Sequence, residues 1–172
     1  MADVEVIWQR GVEPDLARTH LCPRCGSIEH GRPFSVDGSL VSVSHAGDLH
    51  VIAISATMPV GVDVEAIDSA RFEGFDAVAL HPLERPHTSG ERATTWVRKE
   101  ALLKATGDGL TVDPRSVRLS DPDAAPSLLD WPDGPEPEMV HFVDLDLAEG
   151  HRVALAVISR AVPEVTVRRA TP

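Results

Sequence analysis

Three short apolar segments, Ser39 to Ser44, Leu49 to Ser55 and Val60 to Glu65, follow one another with only a few residues between them. Each is rich in β-branched residues, and Ala46-Gly47-Asp48 and Thr57-Met58-Pro59 supply the turns. The pattern predicts an antiparallel meander. Upstream, Val4-Glu5-Val6-Ile7-Trp8 alternates as a strand, and residues 11–33, rich in Pro, Gly, Cys and His, read as irregular. Downstream, Phe72 to Leu83 has an ambiguous, partly helical pattern. A clearer helix then runs to Gly107, capped by Thr88 or Ser89, with Glu91 in its first turn. Ser116 to Leu119 is a candidate short strand. Residues 121–138 form an acidic, proline-rich loop anchored by Leu128, Leu129 and Trp131. Val140 to Leu147 and Arg152 to Ser159 are strands joined by a turn at Glu149-Gly150, and the tail Thr166-Val167-Arg168-Arg169 reads as exposed or weakly ordered. The expected class is α+β.

Composition narrows the function. Of 172 residues, 42% are hydrophobic and 25% charged, which places the chain among globular proteins able to bury a core as one domain. A formal charge of −11 argues against a broad nucleic-acid surface, which would need a basic face. No apolar stretch approaches bilayer length and the first residues lack a signal-peptide pattern, so no membrane partner and a cytoplasmic location are expected.

Strand alternation in Gly61-Val62-Asp63-Val64-Glu65 sends the valines to one face and both carboxylates to the other. Neighbouring like charges invite a hard cation such as magnesium, although a solvated acidic face would give the same pattern. In the helix, Ala93, Trp96, Val97, Glu100, Leu103 and Lys104 share one broad face by their spacing. A surface Glu100–Lys104 pair would contribute only about 0.2–0.5 kcal/mol. A carboxylate on an apolar face instead calls for a compensating charge, and a metal shared with Asp63 and Glu65 would provide it. Ser44 and His45 point to opposite sides of their strand, which excludes a Ser/His nucleophilic pair.

Four ordered blocks carry a family resemblance: Glu29-His30-Gly31-Arg32-Pro33, Ser42-Val43-Ser44-His45-Ala46-Gly47, Gly61-Val62-Asp63-Val64-Glu65, and Trp96-Val97-Arg98-Lys99-Glu100 continuing to Leu110. Together, over roughly residues 29–160, they resemble the 4′-phosphopantetheinyl transferases, specifically the monomeric type serving peptide and polyketide synthases. The resemblance implies two pseudo-symmetric halves in one domain over 1–172, about 1–58 and 59–172, each a small antiparallel sheet packed with helix. It implies transfer of the phosphopantetheine arm of coenzyme A to a serine of an apo acyl or peptidyl carrier protein, with release of adenosine 3′,5′-bisphosphate. Asp63, Glu65 and Glu100 would hold Mg2+, and Glu100, or a water near Glu65, would help deprotonate the serine. Lys104 would neutralise the diphosphate, His45 would hold a phosphate, and Ser44, Gly31 and Arg32 would line the nucleotide end, with Lys99 a secondary ligand.

The first half departs from that pattern, because only about twenty residues separate the opening strand from the block at Glu29, where the family usually places a long helical segment. The N-terminal half is therefore read as truncated. Arg18, His20, Arg24 or Arg32 are the substitutes for nucleotide recognition, and either a monomer or a homodimer is expected. Cys22-Pro23-Arg24-Cys25 resembles one knuckle of a zinc site, with His20 and His30 as further candidate Zn2+ ligands; two reduced thiols are the plainer reading. The alternative function is a catalytically silent relative that binds coenzyme A or a carrier.

Overall fold

The computed structural model describes residues 3–16, 18–21, 26–28 and 32–170, with Leu21 and Arg32 in backbone only. The strands are β1 (Val4–Arg10), β2 (Arg18–Leu21), β3 (Arg32–Ser35), β4 (Leu40–Ala46), β5 (Leu49–Ser55) and β6 (Val60–Ala66). After a 3-10 turn at Ile67–Arg71 come the helices α1 (Phe75–Ala79) and α2 (Ser89–Thr106), then β7 (Arg118–Leu119), β8 (Leu128–Asp130), β9 (Val140–Leu145), β10 (His151–Ile158) and β11 (Val165–Arg169). The fold is α+β. The first sheet has strand order β11-β1-β5-β4-β3-β2, the second β6-β10-β9, and β7 pairs with β8 alone.

Alternation builds the core. Val4 and Val6 of β1 and Leu49, Val51 and Ala53 of β5 face Val60, Val62 and Val64 of β6 and Val153, Leu155 and Val157 of β10, forming an apolar layer between the two large sheets. Each fully buried Val or Leu there contributes roughly 1.5–3 kcal/mol relative to exposure. The opposite face of the second sheet presents Ala154 and Ala156 to Val97, Ala101, Leu102 and Ala105 of α2.

The meander is interrupted at its third strand. β4 and β5 pair antiparallel, but β6 pairs with β10 instead. The edge of β6 turned to β4 meets serine hydroxyls: the Val62 N–H donates to Ser42 Oγ at 2.9 Å and the Val64 N–H to Ser44 Oγ at 3.2 Å. These side-chain acceptors satisfy donors that a strand backbone would otherwise have to meet.

Other expectations shift locally. The stretch expected to be irregular contains β2, paired with β3. Of the loop anchors, Leu128 and Trp131 are buried whereas Leu129 is exposed. The tail is a strand: β11 runs parallel to β1 from Val4↔Val165 to Trp8↔Arg169, and the Arg169 guanidinium lies 5.3 Å from the Trp8 ring centre. The expected boundary near residue 58 is thus crossed by the last strand, and the described residues before 67 contain no helix. No helix among the described residues is long and apolar enough to cross a membrane.

Candidate active site

Thr88 starts α2 with a reciprocal cap, its hydroxyl accepting from the Glu91 N–H at 3.1 Å and the Glu91 carboxylate accepting from the Thr88 and His87 N–H groups. Gly107, with φ of 85°, ends the helix in the left-handed conformation. Where the helix crosses β6 the two backbones nearly touch. A Cβ on Gly61 would stand 1.9 Å from the Ala101 carbonyl oxygen and 2.5 Å from the Ala105 nitrogen. Only glycine fits there, and this close approach brings Glu100 and Lys104 to the strand face that carries Asp63 and Glu65.

Asp63 is 4% exposed. Its Oδ1 accepts from the Ser44 hydroxyl at 2.8 Å and from the Lys104 ammonium at 2.6 Å, and Lys104 also donates to the Val62 carbonyl at 3.3 Å. The other carboxylate oxygen, Oδ2, is buried without a protein partner, and so is Glu100 Oε1. Burial raises the Asp63 pKa despite the Lys104 charge. Burial likewise raises Glu65, helped by the Asp63 charge, with hydrogen bonds from Ser69 and Trp96 opposing. Glu100 is pushed up to about 7, first by burial and then by the Asp63 charge.

Three carboxylates thus share one ammonium, and two buried oxygens lack donors. Among the described residues no three carboxylate, imidazole or thiolate side chains converge tightly enough to form a ready-made metal group. The donor chemistry nevertheless fits a hard divalent cation, which would supply both the missing partners and the missing positive charge.

The sequence-nominated residues divide into two sets. Asp63, Glu65, Glu100, Lys104 and Ser44 come together. His45 does not, because alternation turns it to the face of β4 opposite Ser44, where its ring stacks on His50 with centres 5.6 Å apart. Lys99 is also elsewhere. It is fully buried, paired with Glu84 at 2.6 Å, and donates to the carbonyls of Ala79 at 2.9 Å and Pro114 at 3.0 Å. All three of its donors are engaged, so as placed it fastens a loop onto α2 and does not serve the cleft. Gly31, Cys22, Cys25 and His30, and the side chain of Arg32, lie outside the described residues.

Two contributors were not assigned from the sequence. Gly61 was read only as part of its motif, although a glycine inside a strand signals close backbone approach. Arg98, 1% exposed, donates to both oxygens of Asp144, at 3.0 and 2.6 Å, and to the carbonyls of Asp121 and Pro122, binding β9 and the loop between β7 and β8 to α2. The Trp-Val-Arg-Lys-Glu run therefore alternates roles: Arg98 and Lys99 anchor the helix and Glu100 reaches the carboxylate group.

A family model for the 4′-phosphopantetheinyl transferase superfamily matches residues 59–157, more than half of the chain, and takes in Gly61, Asp63, Glu65, Glu100 and Lys104. No curated protein matches the chain.

Proposed function

The chain belongs to the 4′-phosphopantetheinyl transferase superfamily, whose members use coenzyme A and transfer phosphopantetheine, and on that footing we propose that it modifies a serine of an apo acyl or peptidyl carrier protein in a magnesium-dependent reaction. One observation carries the reading: Asp63 Oδ2 and Glu100 Oε1 are buried without partners beside Lys104, on elements that Gly61 allows to meet. Asp63, Glu65 and Glu100 would hold the ion. When bound it would neutralise phosphoryl oxygens and organise the diphosphate.

The remaining work falls to the chain's own groups. Lys104, which pairs with Asp63 at 2.6 Å, would bring its positive charge to the diphosphate. The carrier serine oxygen bonds to the phosphorus that bears pantetheine, and its proton passes to Glu100 or to a water beside Glu65. The bond from that phosphorus to the oxygen of the adenosine 5′-phosphate breaks, and adenosine 3′,5′-bisphosphate leaves with the electron pair. Displacement of this kind needs positioning and charge neutralisation more than a covalent enzyme nucleophile.

The test is to incubate the protein with coenzyme A, Mg2+ and several apo carrier domains and to weigh the carriers by mass spectrometry. The expected result is addition of one phosphopantetheine to at least one of them. Clear coenzyme A binding with no carrier modified would favour the silent binding relative instead.

A further inference from the structure

A hollow of about 330 Å3 lies between the segment joining α1 to α2 and the 3-10 turn Pro114–Ser116. His81, Arg85, His87 and Arg115 line it together with Asp76 and Glu84, all of them outside the carboxylate group. Both of its acids are already neutralised. Asp76 accepts from Arg92 Nε at 2.6 Å and from its Nη2 at 3.0 Å. Glu84 pairs with Lys99 at 2.6 Å and accepts from the N–H groups of His81 at 2.7 Å and Leu119 at 2.9 Å.

The two arginines are not neutralised. Among the described residues neither guanidinium pairs with a carboxylate. Arg85 Nη1 donates to the Glu84 carbonyl at 2.7 Å, which steadies that guanidinium and leaves its charge uncompensated. Asp113, the acid next to the turn, accepts from the Arg115 backbone N–H at 2.9 Å and caps it. A chain of formal charge −11 thus holds a hollow whose uncompensated side chains are cationic, and such a local field reverses the sign of the whole.

The walls are pinned from behind. Lys99 donates to the Ala79 carbonyl on one side and to the Pro114 carbonyl on the other, and Glu84 ties its own segment to Leu119. The buried Lys99–Glu84 pair therefore fixes the two segments that carry Arg85 and Arg115. Pro82, Pro86 and Pro114 restrict the same backbone. His81 accepts at Nδ1 from the Leu83 N–H at 3.1 Å, so a neutral ring keeps its hydrogen on Nε2 as a donor.

We propose that this hollow is an oxyanion site that takes a phosphate group, as inorganic phosphate or on a small phosphomonoester, between Arg85 and Arg115, with His81 and His87 as further donors. A guanidinium presents paired donors to phosphate oxygens, and two of them match a doubly charged group. The volume, at the low end for small-ligand sites, leaves room for a small substituent beside the phosphate. The site is separate from the transfer reaction proposed above and does not depend on it.

Binding can be measured by calorimetry with inorganic phosphate and with O-phosphoserine, at constant ionic strength and without coenzyme A. EDTA in the buffer prevents a metal from carrying phosphate to the carboxylate group. Wild type should bind at least one of the two saturably, and the tighter of them identifies the free ion or the monoester as the better ligand. Arg85→Ala combined with Arg115→Ala should weaken that binding about tenfold or more, the scale for charge-assisted hydrogen bonds. Both side chains are exposed, so the circular dichroism spectrum should be that of wild type. Arg160→Ala, which removes an exposed arginine elsewhere, should leave the affinity unchanged. Absence of saturable binding of either probe, an affinity that survives the double substitution, or an equal loss in Arg160→Ala overturns the assignment.

Discussion

The Ser44 hydroxyl donates to Asp63 Oδ1 at 2.8 Å while accepting from the Val64 N–H at 3.2 Å, so a residue of the first sheet decides which Asp63 oxygen faces the open side of the carboxylate group. With Oδ1 engaged by Ser44 and Lys104, Oδ2 is the oxygen left to a cation. Supporting hydrogen bonds of this kind typically govern metal affinity by about 10- to 100-fold. Ser44→Ala should weaken Mn2+ binding, followed by electron paramagnetic resonance, by about tenfold. Its cost in stability should be only about 1 kcal/mol. Unchanged Mn2+ affinity would remove Ser44 from the site.

Asp63→Ala and Glu100→Ala should each lower carrier modification by at least about a hundredfold, the scale for removing a preorganised electrostatic contact. Circular dichroism should show both variants folded, since each substitution removes an oxygen that is buried without a donor. Full activity in either variant would defeat the assignment of that residue.

Gly61→Ala tests the contact between β6 and α2. Its methyl group would stand 1.9 Å from the Ala101 carbonyl oxygen, and both atoms it meets most closely are backbone, so neither can swing aside. Overpacking generally costs about 1–3 kcal/mol and here should reach the upper end. Urea unfolding should show that loss, and activity should fall with it because the helix would lift Glu100 and Lys104 away from Asp63. A variant of wild-type stability would contradict the close approach of α2 to β6 at Gly61.

Without divalent ions the carboxylate group should make stability depend on pH in an unusual direction. Asp63, Glu65 and Glu100 all have raised pKa values, Glu100 moving from 4.5 to about 7. The folded state then holds more protons than the unfolded state between those values, so this contribution is complete below about 4.5 and disappears as pH rises through about 7. Urea midpoints in EDTA should therefore fall from pH 5 to pH 8, and Glu100→Gln should flatten the trend. Carboxylates with lowered values, such as Asp76 and Glu91, act below that window and do not mask it. Added Mg2+, by favouring the ionised carboxylates, should restore stability at pH 8. Midpoints that rise from pH 5 to pH 8 in EDTA would contradict the arrangement.

Lys99 gives a contrasting case. Lys99→Met leaves Glu84 buried beside no cation and should destabilise the fold by about 3–5 kcal/mol, while Lys99→Met with Glu84→Gln should recover part of that loss. Coenzyme A affinity of the folded fraction should not change. A selective rise in the coenzyme A dissociation constant would return Lys99 to the cleft.

Local periodicity was enough to read much of this molecule. Two-residue alternation placed Asp63 and Glu65 on one face, and spacings of three and four placed Glu100 beside Lys104, because both patterns follow from the backbone alone. Choices among distant partners were not visible. That β6 would leave β4 for β10 depends on Ser42 and Ser44 accepting its N–H groups, which requires knowing that those strands lie side by side. The burial of Lys99 depended on Glu84, hidden in a proline-broken stretch with no helical pattern. The strand character of the tail was masked by its two arginines, one lying over Trp8 and the other paired with Glu5, contacts that span nearly the whole chain.

That last pairing bears on how the molecule is assembled. The Glu164 N–H donates to Asp3 across a separation of 161 residues, and the β1–β11 ladder beside it closes a loop that contains the carboxylate group. The second sheet and α2 draw on residues 60–158 and can form before that closure, whereas the first sheet gains its outermost strand only when both ends have met. Contacts so distant in sequence form slowly, so substitutions in β11 should act on the rate of refolding and leave the chemistry of the finished site unaltered.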